Sequence, residues 1–310
     1  MKKYLLLGVL AMLFTTPLSA AENVKIKLPD GLYMYDSSIE RLTDGRERVG
    51  FGKYFVVINN TIYSSQEAIR KFGPSKLMIE NKNYKILFGG EKIGEIHNVN
   101  IYDEGDWNYK EELLTQHIKE GPAYGSGGFG NGSAVKCLGV PEEYKEVKKK
   151  VYTTIPQEEV DKIAKLAKEK LLPLVISRKG FAKYKITEME LYKDSLFHLD
   201  KISYRNDELY IGRYLYAFKT AKTSYWFQII FSVRKDNFHV VTTNYEEGDL
   251  VAGYMTIYGM LDVDGCGEDE LVIEKEAPRE NETTIWLEIH KQKLDGNWML
   301  IKVVKTRRIL

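Results

Sequence analysis

The chain has only two cysteines, Cys137 and Cys266, in 310 residues, which excludes a disulfide-dense miniprotein and a multi-cysteine metal domain. Beyond residue 14 it has no apolar run of the roughly 18 residues that a membrane-spanning helix needs. It has almost no net charge, 45 basic against 44 acidic side chains, so it lacks the basic footprint expected for nucleic acid or an anionic membrane. Its five histidines (His97, His117, His198, His239 and His290) include no HExxH pair and none at metal-ligand spacing with cysteine or acid partners, which removes the zinc-hydrolase signature. No Gly-x-Ser-x-Gly elbow is present for an esterase. A glycosidase needs only two carboxylates at the right separation, and 44 acids leave that class open.

What is present begins with an export signal. Met1-Lys-Lys-Tyr4 is basic, residues 5–14 are apolar, and Ser19-Ala20-Ala21 supplies small residues for cleavage before Glu22. Residues 1–21 therefore read as a signal peptide. No cysteine follows it for a lipid anchor, and the mature chain is expected in a periplasm or the medium, soluble and without a membrane span. In that oxidising compartment an even cysteine count reads as a Cys137–Cys266 disulfide, with two separate buried thiols or an intermolecular bond as the alternatives.

Residues 24–63 alternate or run apolar between turn residues and read as strands, as do residues 76–80, 84–88 and 93–102. Ser64-Ser65-Gln66-Glu67 ahead of Ala68, Ile69 and Phe72, stopped by Gly73-Pro74, predicts a short capped helix. Residues 109–119 are helix-prone and end at Gly121-Pro122. A glycine-crowded stretch follows, in which Gly125-Ser-Gly-Gly-Phe-Gly130 formally matches the dinucleotide fingerprint. That motif works only between a strand and a helix, so the stretch reads as a surface loop, with a ligand lid as the alternative.

Residues 151–173 carry the clearest helical pattern. Thr154 and Gln157 form a capping box, and the narrow stripe of Val160, Ile163, Ala164, Ala167 and Leu171 predicts a helix lying against a sheet or a domain rather than one fully enclosed. A domain boundary is placed there: residues 22–150 form a β-rich domain with the glycine-rich loop, and residues 151–310 a helix plus strands. Those strands repeat. Residues 199–211 align without gaps on residues 261–273, Tyr225-Trp226-Phe227 on Ile285-Trp286-Leu287, and Asp236-Asn237-Phe238 on Gly296-Asn297-Trp298. The fold class expected is α+β, mainly β, with an N-terminal β-rich part, a central helix and a C-terminal antiparallel β-meander of two duplicated units. Tyr210, Tyr214, Tyr216 and Phe218 alternate onto one strand face, which serves either to stack a sugar or peptide or as the packed face of a sheet.

One stretch has a chemical grammar: Leu261-Asp-Val-Asp-Gly-Cys-Gly-Glu-Asp-Glu-Leu-Val-Ile273. Asp262, Asp264 and Gly267 stand at positions 1, 3 and 6 of an oxygen-ligand calcium loop; Glu268 is placed to offer a carbonyl and Glu270 a carboxylate, whereas Cys266 brings sulfur to position 5. With Trp298 after a hairpin, this resembles one unit of the integrin-type FG-GAP/VCBS repeats, whose Asp-x-Asp-Gly-Asp-Gly loop binds calcium between strands of propeller blades in adhesion proteins. The resemblance implies a weak calcium site at Asp262, Asp264, Glu268 and Glu270. It also implies a sandwich or stacked pair of sheets, because two units cannot close a propeller. The alternative is a solvated acidic turn held by Cys266. In the first copy Ile202 and Tyr204 replace the ligands, so no ion is expected there. The function expected is an exported binding or interaction protein of the cell envelope, with an envelope protein or glycan as partner and no nucleic acid; the alternative is an exported hydrolase acting on glycan between the two domains. No residue is singled out as catalytic.

Overall fold

The computed structural model describes residues 24–41, 47–73, 83–88, 91–96, 115–116, 137–147, 151–152, 155–176, 190–204, 207–219, 224–247, 255–279 and 282–309. The expected signal peptide, the glycine-rich loop, the strand at 76–80 and the Thr154 half of the capping box lie outside these residues. Within them no helix is long and apolar enough to cross a membrane.

Seven strands make the first sheet: β1 (Gly31–Arg41), β2 (Glu47–Ile58), β3 (Thr61–Ser64), β4 (Tyr84–Phe88), β5 (Glu91–Ile96), β6 (Thr115–Gln116) and β7 (Cys137–Pro141), in the order β3-β2-β1-β7-β4-β5-β6. Asn59 and Asn60, at φ 50° and 59°, close the tight β2–β3 hairpin as a left-handed turn demands. Helix α1 (Ser65–Phe72) follows as expected: Ser64 Oγ accepts the Glu67 N–H at 3.2 Å, and Gly73, at φ 77°, ends it. Thr115 and Gln116 pair with β5, so the helix-prone stretch at 109–119 is strand where it is described. The β5 edge offers these two residues backbone bonds that override a weak propensity.

The second sheet contains β8 (Val151–Tyr152), β9 (Glu190–Tyr204), β10 (Asp207–Lys219), β11 (Ser224–Arg234) and β12 (Asn237–Glu247) in the order β12-β11-β10-β9-β8. The third contains β13 (Met255–Leu261), β14 (Glu270–Arg279), β15 (Glu282–Gln292) and β16 (Trp298–Ile309) in sequence order. The protein is thus mainly β with antiparallel sheets, and its C-terminal part is a pair of consecutive four-strand meanders, β9–β12 and β13–β16. Their last hairpins sit side by side: His239 Nδ1 lies 3.1 Å from Asn297 Oδ1.

Helix α2 (Gln157–Ile176) lies across the second sheet with Ile163, Ala167, Leu171 and Val175 buried along one stripe. It runs three residues past Pro173, where the sequence predicts its end. Burying Val175 contributes roughly 1.5–3 kcal/mol, enough to offset much of the ~3 kcal/mol that an interior proline costs. This helix packs on the tyrosine face, which is the packed face of its sheet. Tyr214, Tyr216 and Phe218 are 4%, 0% and 4% exposed because α2 covers them, and Tyr210 packs against the same cluster while donating its hydroxyl to Glu159 at 2.6 Å.

One buried cluster draws on all three sheets, through Met34 and Val56, Ile211 and Ile230, and Ile257 and Ile273, so the boundary expected near residue 150 runs through a shared core. A second cluster joins the first and third sheets through Tyr33, Val57, Tyr258 and Val272. Leu271 and Ile273 enter the first cluster and Val272 the second, which explains the unbroken apolar run Leu-Val-Ile: β14 is buried on both faces.

Candidate functional site

The acidic loop joins β13 to β14, and its shape comes from two glycines and three carboxylates. Gly265 and Gly267 adopt φ 67° and 86°, which side chains other than glycine rarely accept. Asp262 folds back over the bend: its Oδ1 accepts the Cys266 N–H at 3.0 Å and its Oδ2 the Gly267 N–H at 2.9 Å. Asp264 Oδ1 accepts the same Cys266 N–H at 3.1 Å, and Glu270 Oε2 accepts the Val263 N–H at 2.7 Å. The loop also rests on the N-terminal part. Lys27 N–H donates to Val263 O at 2.8 Å, Asp262 N–H donates to the Tyr144 hydroxyl at 2.7 Å, and a Cβ on Gly265 would meet Lys27 Cδ at 3.0 Å.

Into this loop reaches Lys291 from β15. Its ammonium donates to Asp264 Oδ2, lies 3.2 Å from Cys266 Sγ and 3.4 Å from Glu270 Oε1. Burial lowers the Lys291 pKa, but the bonds to Asp264 and Cys266 and the charge of Glu270 outweigh it and push the value up. Burial raises Asp264, yet the Lys291 and Cys266 bonds hold it below the usual carboxylate range. Burial, with Asp264 and Asp262 nearby, pushes Glu270 up to about 7 against the Val263 hydrogen bond. Burial and the Asp264 bond push the Cys266 thiol up, which keeps it protonated.

Of the four predicted ligands, Asp262 and Asp264 come together with Cys266, their donor atoms within 4.8 Å of one another. Glu270 reaches the group only through Lys291, and Glu268 turns its carbonyl toward Cys266 Sγ at 3.8 Å. Calcium collects six to eight oxygens. Here a thiol stands among the donors, and an ammonium already lies against Asp264 and Glu270, so these residues do not supply the oxygen shell that calcium requires. In the first copy, Ile202 and Tyr204 are buried strand residues, 0% and 2% exposed. The expected disulfide is not formed: Cys137 is buried on β7 in the shared core, whereas Cys266 is exposed on the loop and directed at Lys291.

A second ionisable cluster lies between the second and third sheets, and sequence reasoning missed it. Glu288 Oε2 accepts from Lys275 Nζ at 2.9 Å, from the Thr242 hydroxyl at 3.0 Å and from His290 Nε2 at 2.8 Å, while Oε1 accepts from Trp286 Nε1 at 3.0 Å. Burial raises the Glu288 pKa, but the His290 bond, the Lys275 charge and the Trp286 bond bring it down to about 2. Burial lowers His290 and outweighs the opposing pull of Glu288, leaving a neutral ring. Trp286, Glu288 and His290 alternate along one face of β15, a spacing the sequence does carry, whereas Lys275 and Thr242 arrive from β14 and β12 and no local pattern announces them. Comparison with known protein families, curated proteins and solved structures gives no match.

Proposed function

We propose that the chain is an exported binding or interaction protein of the cell envelope with no catalytic centre of its own. The observation that carries this reading is the place of the three buried glutamates among the described residues. A glycosidase presents its pair to a cleft. Here Glu270 fastens to Val263 and lies beside Lys291, Glu274 binds Lys53 Nζ at 2.6 Å and the Tyr258 hydroxyl at 3.1 Å, and Glu288 closes the sheet interface. Each joins strand to strand, so their desolvation serves assembly of the sheets rather than proton transfer to a substrate. The export signal at residues 1–21 and the FG-GAP/VCBS-like unit support an envelope role, because units of that type occur in adhesion and surface proteins.

The test is co-sedimentation of the exported protein with purified cell-envelope glycan, with release of reducing ends followed in the same tube. Saturable sedimentation without release supports the binding reading. Release that disappears when a single carboxylate is neutralised replaces it with the hydrolase reading.

A further inference from the structure

We propose that Lys291 is the resident cation of the 262–270 loop: its ammonium does the work that a divalent ion does in loops of this shape, and the protein folds independently of calcium. The inference rests on the loop's geometry and goes beyond the binding role proposed above.

Five acids, Asp262, Asp264, Glu268, Asp269 and Glu270, lie within nine residues, and Glu270 is 0% exposed with Asp264 partly buried beside it. Carboxylates removed from water in this way need a positive charge among them. Lys291 supplies it from a neighbouring strand, its side chain 21% exposed and its ammonium facing Asp264, Cys266 and Glu270. Two of its N–H donors go to Asp264 and Cys266 and its charge faces Glu270 Oε1 at 3.4 Å, a set of contacts that suits an ammonium and falls short of the six to eight oxygens of calcium. The departure at Cys266 belongs to the same exchange. Replacing a doubly charged ion by a singly charged ammonium calls for one carboxylate fewer, and position 5 has lost one. The β14–β15 register fixes the arrangement: Leu271 pairs with His290, so the next step sets Lys291 beside Glu270. The loop is thereby clamped to β15 on one side and to Lys27 and Tyr144 on the other.

The experiment is thermal unfolding and calorimetric titration of the full exported chain with calcium, zinc or chelator, for the wild type, Lys291→Arg, Lys291→Met, Asp262→Asn, and Lys291→Met combined with Asp264→Asn. Expected are a wild-type and a Lys291→Arg protein indifferent to chelator and to millimolar calcium, and a Lys291→Met protein that melts about 5 °C lower and regains stability in millimolar calcium. The double variant should recover part of the loss without metal, because it also removes the stranded carboxylate. If Lys291→Met is unfolded alone, folding restored by calcium or by Asp264→Asn supports the assignment, and failure of both overturns it. It is also overturned by wild-type calcium binding that Asp262→Asn abolishes, by zinc binding at Cys266, or by a Lys291→Met protein that melts like the wild type. None of these outcomes bears on glycan sedimentation, so this inference and the binding role fail separately.

Discussion

Neutralising Glu288 should cost this protein about 3 kcal/mol at neutral pH. The carboxylate sits between β12 and β15 with its side chain 10% exposed, paired to Lys275, whose own side chain is 8% exposed. Glu288→Gln keeps the shape and the Thr242 hydroxyl at 2.5 Å and the Thr243 carbonyl at 3.1 Å from the Lys275 ammonium, but removes the carboxylate charge 2.9 Å from it. Removing one member of a buried pair typically costs about 3–5 kcal/mol. Linkage gives a similar size. The folded pKa of about 2 against the ordinary 4.5 of a glutamate corresponds to about 3 kcal/mol of stability. Because the folded pKa is depressed, this contribution is complete above pH 4.5 and is lost as the pH falls toward about 2. His290 adds to the acid sensitivity from higher pH: burial holds its folded pKa below the ordinary 6.5 of a histidine, so below that pH the unfolded chain takes up a proton that the folded chain refuses. Urea unfolding followed by tryptophan fluorescence from pH 8 to pH 3 measures both effects. Glu288→Gln should be less stable at pH 7 and should show a flatter decline below pH 4.5, while Lys275→Met added to it should cost less than the sum of the two single changes. A Glu288→Gln protein within about 0.5 kcal/mol of wild type at pH 7, with an unchanged acid slope, would refute the reasoning.

Tyr216→Ala should lose about 3–5 kcal/mol in the same urea assay, with glycan sedimentation unchanged, since the ring is packed beneath α2 rather than offered to a ligand. Gly296→Ala meets two obstacles, a φ of 89° and a Cβ placed 2.5 Å from His239 Nε2. A loss above about 1 kcal/mol is expected, and His239→Ala should relieve the steric part while leaving the backbone strain. A membrane-impermeant thiol reagent should label Cys266 in the native protein and Cys137 only after unfolding, and a non-reduced peptide map should show no link between them. Labelling of both cysteines without unfolding would contradict the burial of Cys137 in the three-sheet core.

The parts of the fold legible in the sequence are those that short-range chemistry controls. Ser64 with Glu67 specifies a helix start and Gly73 its end, because capping satisfies N–H groups within one turn. Asn59-Asn60 specifies a hairpin because two successive left-handed residues match strand twist, and the stripe from Val160 to Leu171 specifies an amphipathic helix because of its period, although not its continuation past Pro173 to bury Val175. The repeat of about 60 residues emerged as two four-strand meanders for the same reason, each strand and turn being encoded in place. The acidic loop was visible too, as a glycine-bent cluster of carboxylates.

What the loop holds was decided elsewhere. Residues 109–119 carry helical propensity, yet Thr115 and Gln116 pair along β5, and of the four aromatic residues that alternate on one strand face Tyr214, Tyr216 and Phe218 are buried in a cluster with α2. Neither outcome is written within the segment concerned. The same is true of Lys291, which stands more than twenty residues beyond the loop and enters it only because β14 and β15 pair Leu271 with His290. A shift of one residue in that register would send Lys291 to the opposite face and leave Glu270 buried without a cation. The sequence by itself determined the strands, the turns and the crowding of acids. The tertiary structure alone decided which charge neutralises them, because strand register and sheet packing are set by burial summed over the shared core rather than by any local string of residues.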